Sequence, residues 1–379
     1  MTDLDRAARS KDVAIGLADM GWGSTALIGS CQIGGLSRMP LRLDVRLVPR
    51  ALLVLLALAV VAWIGYKGSQ DSRVFWIVTL NGLTLAALFF VVSAGFTLIF
   101  GLMRVVNMAH GSLYLLAGYI AFTLQGNWYG VSSNLLSGTP ATVTSWVVPM
   151  IIATIVIGVA GVSMQQVFLR WNQGQDLRQA LITIAISVIL ADQMVAHFGG
   201  IAESIQQPAT WPDSVTLFGV RYGFFRLEVV VGAALLIGAL LFFVIKRTRF
   251  GMIIRAGVDD RSMVSALGVN IQLVFAGAFF VGALLAGLAG VLGGTMIAVQ
   301  PGNDSAFLLD SLIVVIIGGM GSLLGAAIGS VALGLVSAYA DVYLKFGTTD
   351  LTNYAILLTF ILVVAVLAVR PLGLFGRPA

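Results

Sequence analysis

The sequence predicts an all-α membrane protein: a polytopic helical bundle of about 8–10 transmembrane helices, with a broken or re-entrant helix pair near 306–340. Three observations carry this. The chain of 379 residues is 59% hydrophobic and 10% charged, whereas soluble domains are about 45–50% apolar and about 25% charged. Residues 74–100, 146–169 and 273–299 each lack Asp, Glu, Lys and Arg, and a bilayer core roughly 30 Å thick is crossed by about 20 helical residues. Those runs are continuously apolar, not alternating, which excludes a β-barrel. Other classes fall by absence. One cysteine, Cys31, allows no disulfide within the chain, and two histidines, His110 and His197, with no HExxH helix leave little for zinc chemistry. No GxxxxGK[ST] occurs, so the chain carries no P-loop, and a net charge of +5 is no nucleic-acid footprint.

Apolar spans are expected at 51–66, 74–100, 105–124, 146–169, 179–198, 229–245, 271–299 and 351–369. Ser311 to Ala340 is also free of charge. As one helix it would run roughly 45 Å, too long for one ordinary crossing. It is cut by Gly318, Gly319, Met320, Gly321 and Ser322, and glycine in such density ends a helix. A short helix, a turn and a longer helix are expected. The count is then eight spans plus a hairpin, or ten spans.

The positive-inside rule sets the orientation. With the N-terminus in the cytoplasm, the inner segments hold Arg38, Arg42, Arg46, Arg50, Arg104, Arg170, Arg178, Lys246, Arg247, Arg249, Arg255, Arg261, Arg370 and Arg377. The outer ones hold only Lys67, Arg73, Arg221, Arg226 and Lys345. This predicts an inner (cytoplasmic) membrane protein with both termini inside. Residues 1–45 contain no apolar run of signal-peptide type and are expected to be a poorly ordered cytoplasmic extension to the transmembrane domain, 46–379. The recurrence of Arg38, Arg42, Arg46 and Arg50 every four residues offers a second reading, a helix face lying on phospholipid head groups.

Two polar stretches interrupt this pattern. RVVNMAHG, Arg104 to Gly111, opens the third span. Asn107 and His110 are three residues apart and would share a helix face. They are either a hydrogen-bonded helix start or part of a solute path. The loop 246–270 is polar and basic but contains Met263, Ala266 and Leu267 at i, i+3 and i+4, followed by Gly268. That pattern predicts a short amphipathic helix along the membrane surface, either held by anionic lipid or docking a cytoplasmic partner.

Several blocks in collinear order, from about 75 to 376, resemble the branched-chain (hydrophobic) amino acid permeases of ATP-binding-cassette importers. Ala256, Asp259, Ala266, Gly268 and Val269 resemble that family's coupling-helix pattern. Asn81 through Gly95, Gly101 and RVVNMAHG to Gly118 resemble its first block, Asp310 to Gly329 its last, and RPLGLFG, Arg370 to Gly376, its terminal motif. The resemblance implies a transport subunit rather than an enzyme, with no cofactor of its own. ATP and Mg would sit on two separate cytoplasmic ATPase subunits. A second permease, related in preference to identical, and an extracytoplasmic binding protein would complete the assembly. The 1–45 extension and the span at 51–66 depart from the family pattern.

The coupling residues expected are Arg255, Ala256, Asp259, Asp260, Arg261, Met263, Ala266, Leu267 and Gly268. Candidate path residues are Asn81, Asn107, His110, Asp192, Gln193 and Asp310, and Gly318, Gly319, Gly321 and Ser322 form the helix break. Asp192 and His197 lie five apart near the outer end of span five, either in the path or at the interface. Gly282, Gly287, Gly290, Gly293 and Gly294 suit close helix packing. Long Gly-rich helices at 74–100 and 271–299, each followed by a polar turn and a short or broken helix, suggest an inverted repeat. A urea or amide permease, or a stand-alone secondary transporter or channel, is the alternative. An intramembrane hydrolase lacks a GxSG-type element and a Ser–His pair.

Overall fold

In hydrocarbon every backbone polar group must be satisfied internally, so each apolar run folds as a helix. The computed structural model describes residues 65–66, 70–103, 106–131, 140–172, 174–259, 261–346, 349–350 and 354–376. The expected extension 1–45 and nearly all of the expected span 51–66 lie outside the described residues.

α1 is Ser72–Met103 and α2 His110–Tyr129. α3, Val143–Met164, continues through a π turn, Gln165–Leu169, and a 3-10 turn, Arg170–Asn172. α4 is Asp176–Phe198. An antiparallel hairpin follows, β1 Ser214–Leu217 and β2 Val220–Gly223, with Ser214 opposite Gly223. A π segment, Phe225–Val231, leads into α5, Gly232–Arg247. The polar loop forms α6, Arg249–Asp259, and α7, Arg261–Ala266. Then come α8 Ile271–Met296, α9 Asn303–Gly318, α10 Leu323–Tyr343, the two-residue strands β3 Lys345–Phe346 and β4 Thr349–Asp350, and α11 Ala355–Val369.

Among the described residues six helices are long and apolar enough to cross a membrane: Ser72–Gly101, Val143–Asn172, Asp176–Phe198, Phe225–Arg247, Ile271–Met296 and Leu323–Tyr343. α2, more polar, and the shorter α9 and α11 pack with them. The fold is thus the expected all-α membrane bundle, with two small hairpins at its loops. The charge-free stretch is broken where the glycines predicted. Its first helix, however, begins at Asn303, eight residues before Ser311, because Asp304 is accommodated in the first turn, where an acid suits the helix dipole.

α1 and α8 form the centre. α1 packs on α8, α9 and α10, and α8 packs on α1, α2 and α3. Small residues permit this. A Cβ at Gly95 would lie 2.6 Å from the Gly282 carbonyl oxygen, and one at Gly334 would lie 2.6 Å from that of Gly82. Without a hydrophobic drive between helices in lipid, such close backbone contact is what associates them. Of the five α8 glycines foreseen as packing positions, Gly282, Gly287 and Gly290 meet the backbone of other helices, whereas Gly293 meets the Tyr114 side chain and Gly294 those of Val299 and Ile205. Gly290 faces the Tyr114 carbonyl, Gly287 faces Ile157, and Gly294 faces Val299.

The bundle has two distinct ends. At one, the hairpin tip stacks Phe218 on Trp76 at 4.1 Å. There Gln125 of α2 bonds the backbone of Gln206, and Glu203 forms a β-bridge with Val299 just after α8. At the other, Ile99, Met103, Ala109, Met164, Leu169, Ile254 and Phe275 form an apolar cluster under α6. The helix break lies at this second end too, since a Cβ at Gly101 would be 3.2 Å from Gly321 Cα.

Candidate functional site

The loop between α5 and α8 has the most distinctive geometry. α6 turns back beneath the bundle, with Ile254 buried and Met252, Arg255 and Ala256 exposed. Arg255 Nη1 donates to the Ile245 carbonyl at the end of α5. Where one short helix was expected, two form, so Arg255 and Ala256 belong to α6 and Met263 and Ala266 to α7. Gly268, at φ +82°, stops the second helix in a left-handed turn, with its N–H donating to the Ser265 carbonyl at 3.0 Å. Asn270 then caps α8 by accepting from the Gln272 N–H at 3.1 Å.

Burial divides α7 into two faces. Val264 is 5% exposed and anchors it inward, while Met263 is 63% and Leu267 74% exposed. Ala266 is exposed beside them. The side chains of Asp259, Asp260 and Arg261 lie outside the described residues. α7 and the residue after it thus present Met263, Ala266 and Leu267 away from their own bundle.

The candidate path residues do not converge. Asn107 precedes α2 instead of lying within it, so it shares no helix face with His110. Its Oδ1 accepts from the Ala109 N–H at 3.1 Å, an Asx turn that starts the helix, and its Nδ2 is buried with no partner among the described residues. His110 is fully buried, with Nε2 3.0 Å from the Val92 carbonyl and the Phe96 ring edge-on at 5.5 Å. A carbonyl only accepts, so Nε2 carries the proton and the buried Nδ1 has no partner among the described residues. Both residues face protein.

Asp192 and Gln193 are exposed on α4, whose buried contact there is Met194. Asp310 is half-buried on α9, in electrostatic reach of Tyr114. Asn81 lies at the hairpin end, accepting from the Tyr222 hydroxyl at 2.9 Å. Burial pushes the Tyr222 phenol above its usual range; its bond to Thr84 and the Arg226 charge act the other way. Among the described residues no group of three or more His, Cys, Asp or Glu could hold a metal.

The helix break is a built joint. Gly318 ends α9, Gly319 (φ +95°) and Gly321 (φ +82°) turn the chain, and Ser322 caps α10 by accepting from the Gly325 N–H at 3.1 Å. The terminal RPLGLFG turn closes it. Leu374 N–H donates to the Ile317 carbonyl and Phe375 N–H to that of Gly318, both at 2.9 Å, and Arg370 Nη1 donates to the Leu374 carbonyl at 3.0 Å. Two carbonyls at the end of α9 that have no intrahelical partner are thereby satisfied. Sequence reasoning noted this motif only as a resemblance, since nothing local says what it docks on.

Residues 78–367 match the family described as "Branched-chain amino acid transport system / permease component". The chain belongs to this family. As a permease subunit of an ATP-binding-cassette importer, it leaves ATP hydrolysis to separate chains. It is 29% identical over 307 residues to the high-affinity branched-chain amino acid transport system permease protein BraD of Pseudomonas aeruginosa, covering 79% of this chain and 95% of that one. LivH of Escherichia coli, described in the same words, is 29% identical over 320 residues, covering 82% and 98%. A probable LivH permease of Methanocaldococcus jannaschii is 26% identical over 306 residues, covering 79% and 90%. Among solved structures, PsaBC from Streptococcus pneumoniae in complex with Fab matches with a TM-score of 0.41 and 9% identity over 80% of this chain and 94% of that chain, too weak a likeness to bear on the fold.

Proposed function

We propose that this permease imports branched-chain or related small hydrophobic amino acids across the inner membrane. It works with two cytoplasmic ATPase subunits, a second and related permease subunit, and an extracytoplasmic binding protein. The helix α7 carries the reading. Its exposed Met263, Ala266 and Leu267 side suits a groove on an ATPase, and Val264 with the tethers to α5 and α8 makes it a lever rather than a floating loop.

The end of the bundle bearing α6, α7 and the helix break gathers Arg170, Arg178, Lys246, Arg247, Arg249, Arg255 and Arg370. By the positive-inside rule this is the cytoplasmic end, and the β1–β2 hairpin end is the outer one. The RPLGLFG turn is then cytoplasmic, the expected span 51–66 would return the N-terminus to the same side, and the ATPases bind where the lever is. The scattered placement of Asn107, His110, Asp192 and Asp310 supports a path shared between two permeases over one formed within this chain. The exposed polar side of α4, with Asp192 and Gln193, suits that shared surface.

Ala266→Asp tests the lever. A carboxylate on the exposed side leaves the membrane fold intact, because Ala266 is not in the packed core. In a groove it is desolvated without a partner, which costs several kcal/mol. The expected result is lost co-purification with the ATPase, or hydrolysis uncoupled from uptake in lipid. Unchanged assembly, hydrolysis and uptake would remove α7 as the coupling element.

A further inference from the structure

A cavity of about 380 Å³ opens at the hairpin end, between α1, the β1–β2 hairpin, the π segment that precedes α5, and the ends of α8 and α10. That lies within the roughly 300–1,000 Å³ typical of small-molecule pockets. Its chemistry is mixed in a particular way. Arg226 and Asp341 line the same cavity from elements far apart in the chain. Among the described residues they form no ion pair with each other; Arg226 Nη2 instead donates to the Met296 carbonyl at 3.4 Å. Asn81 accepts the Tyr222 hydroxyl on its Oδ1 at 2.9 Å, which orients the amide and leaves its Nδ2 donors for a ligand. Thr84 and Tyr222 also line it, and Leu85, Met296 and Val342 supply an apolar side.

Arg226 and Asp341, both exposed at this open cavity, give it a cation and an anion beside an oriented amide and an apolar side, which match a molecule bearing both charges and an aliphatic chain. We infer that this cavity binds a zwitterionic aliphatic α-amino acid as it reaches the permease from outside. Arg226 and the Asn81 amide take the carboxylate, Asp341 takes the ammonium group, and the Leu85–Met296–Val342 wall takes the side chain. This deepens the import reading and rests on it. The outer end thereby selects for zwitterions before the solute enters the path shared with the second permease. Guanidinium suits the carboxylate because its fork of donors matches the two oxygens.

The test uses the full-length chain in lipid nanodiscs and three probes observed by saturation-transfer NMR. These are L-leucine, isocaproate (no amine) and isoamylamine (no carboxylate). Leucine is expected to bind more tightly than either. Arg226→Gln should weaken leucine and isocaproate about tenfold to a hundredfold, the loss expected for a hydrogen bond between charged groups, and leave isoamylamine unchanged. Asp341→Asn should do the reverse, weakening leucine and isoamylamine only. Arg226→Lys should recover part of the carboxylate-dependent affinity. No leucine binding to the unmodified chain, binding indifferent to both substitutions, or equal loss of all three probes in each variant overturns the proposal. Leucine uptake by the reconstituted assembly is measured in parallel. Uptake that persists without binding here removes this site and leaves the importer standing; absence of ATP-dependent amino acid uptake removes the import reading itself.

Discussion

Gly319 offers a perturbation whose cost can be worked from the structure. Its backbone sits at φ +95° and ψ 125°, where an L side chain is strained by about 1–3 kcal/mol. A Cβ there would also meet backbone, with Gly376 Cα at 2.8 Å and the Phe375 carbonyl carbon at 2.9 Å. Backbone cannot rotate away as a flexible side chain can, so Gly319→Ala must lift the C-terminal turn. Lifting it breaks the Leu374–Ile317 and Phe375–Gly318 hydrogen bonds, worth about 0.5–1.5 kcal/mol each. The total is about 2–6 kcal/mol, a large share of a typical stability of about 5–15 kcal/mol. Gly302 is a control without a docked neighbour: its φ is +94° and its ψ −21°, in the left-handed region, and nothing lies within 4 Å of a Cβ built there, so Gly302→Ala should cost only its own strain. Unfolding of the purified chain in mixed micelles, followed by denaturant titration, measures both. A second comparison removes residues 371–379. In that background Gly319→Ala should fall to the strain alone, about 1–3 kcal/mol, because the coupling partner is gone. Equal costs for the two glycines in the intact chain, or a Gly319 cost unaffected by the truncation, would refute the docked-turn argument.

Three further outcomes follow from the geometry. In a Cys31→Ser background, Ser214→Cys on the hairpin should label with an impermeant thiol reagent in intact cells, and Ser262→Cys in α7 should not; the opposite pattern reverses the assigned orientation. His110→Ala should destabilise the fold by about 2–5 kcal/mol through the buried cavity it leaves, whereas His110→Phe, keeping a ring against Phe96, should cost less than half as much; equal losses in a thermal unfolding assay would deny the packing role. Gly290→Val should push α8 from the Tyr114 backbone and cost about 1–3 kcal/mol by overpacking, against little change for Val at the exposed position Ala256; a Gly290 variant as stable as the parent would mean that α2 and α8 can separate freely.

What could be read from the sequence was governed by short-range physics. The apolar runs had to be helices because hydrocarbon offers the backbone no other partner, and the cluster Gly318–Gly321 had to break one. The amphipathic spacing of Met263, Ala266 and Leu267 made a surface helix legible, and several collinear blocks pointed to the family. The tertiary structure alone decided which of these residues meet. Asn81 and Tyr222 are 141 positions apart and Trp146 and Thr295 are 149 apart; no periodicity encodes such pairs. The path candidates were chosen as polar residues in apolar runs, yet polarity says only that a group needs a partner. The structure assigned Asn107 its own turn, His110 the Val92 carbonyl and Asn81 the Tyr222 phenol. Arg226 and Asp341 were ordinary loop and helix-end charges in the sequence, and became one cavity only because α10 packs along α1 beside the hairpin. The RPLGLFG turn likewise gained its meaning from the two open carbonyls at the end of α9, which exist only once the helix has stopped at Gly318.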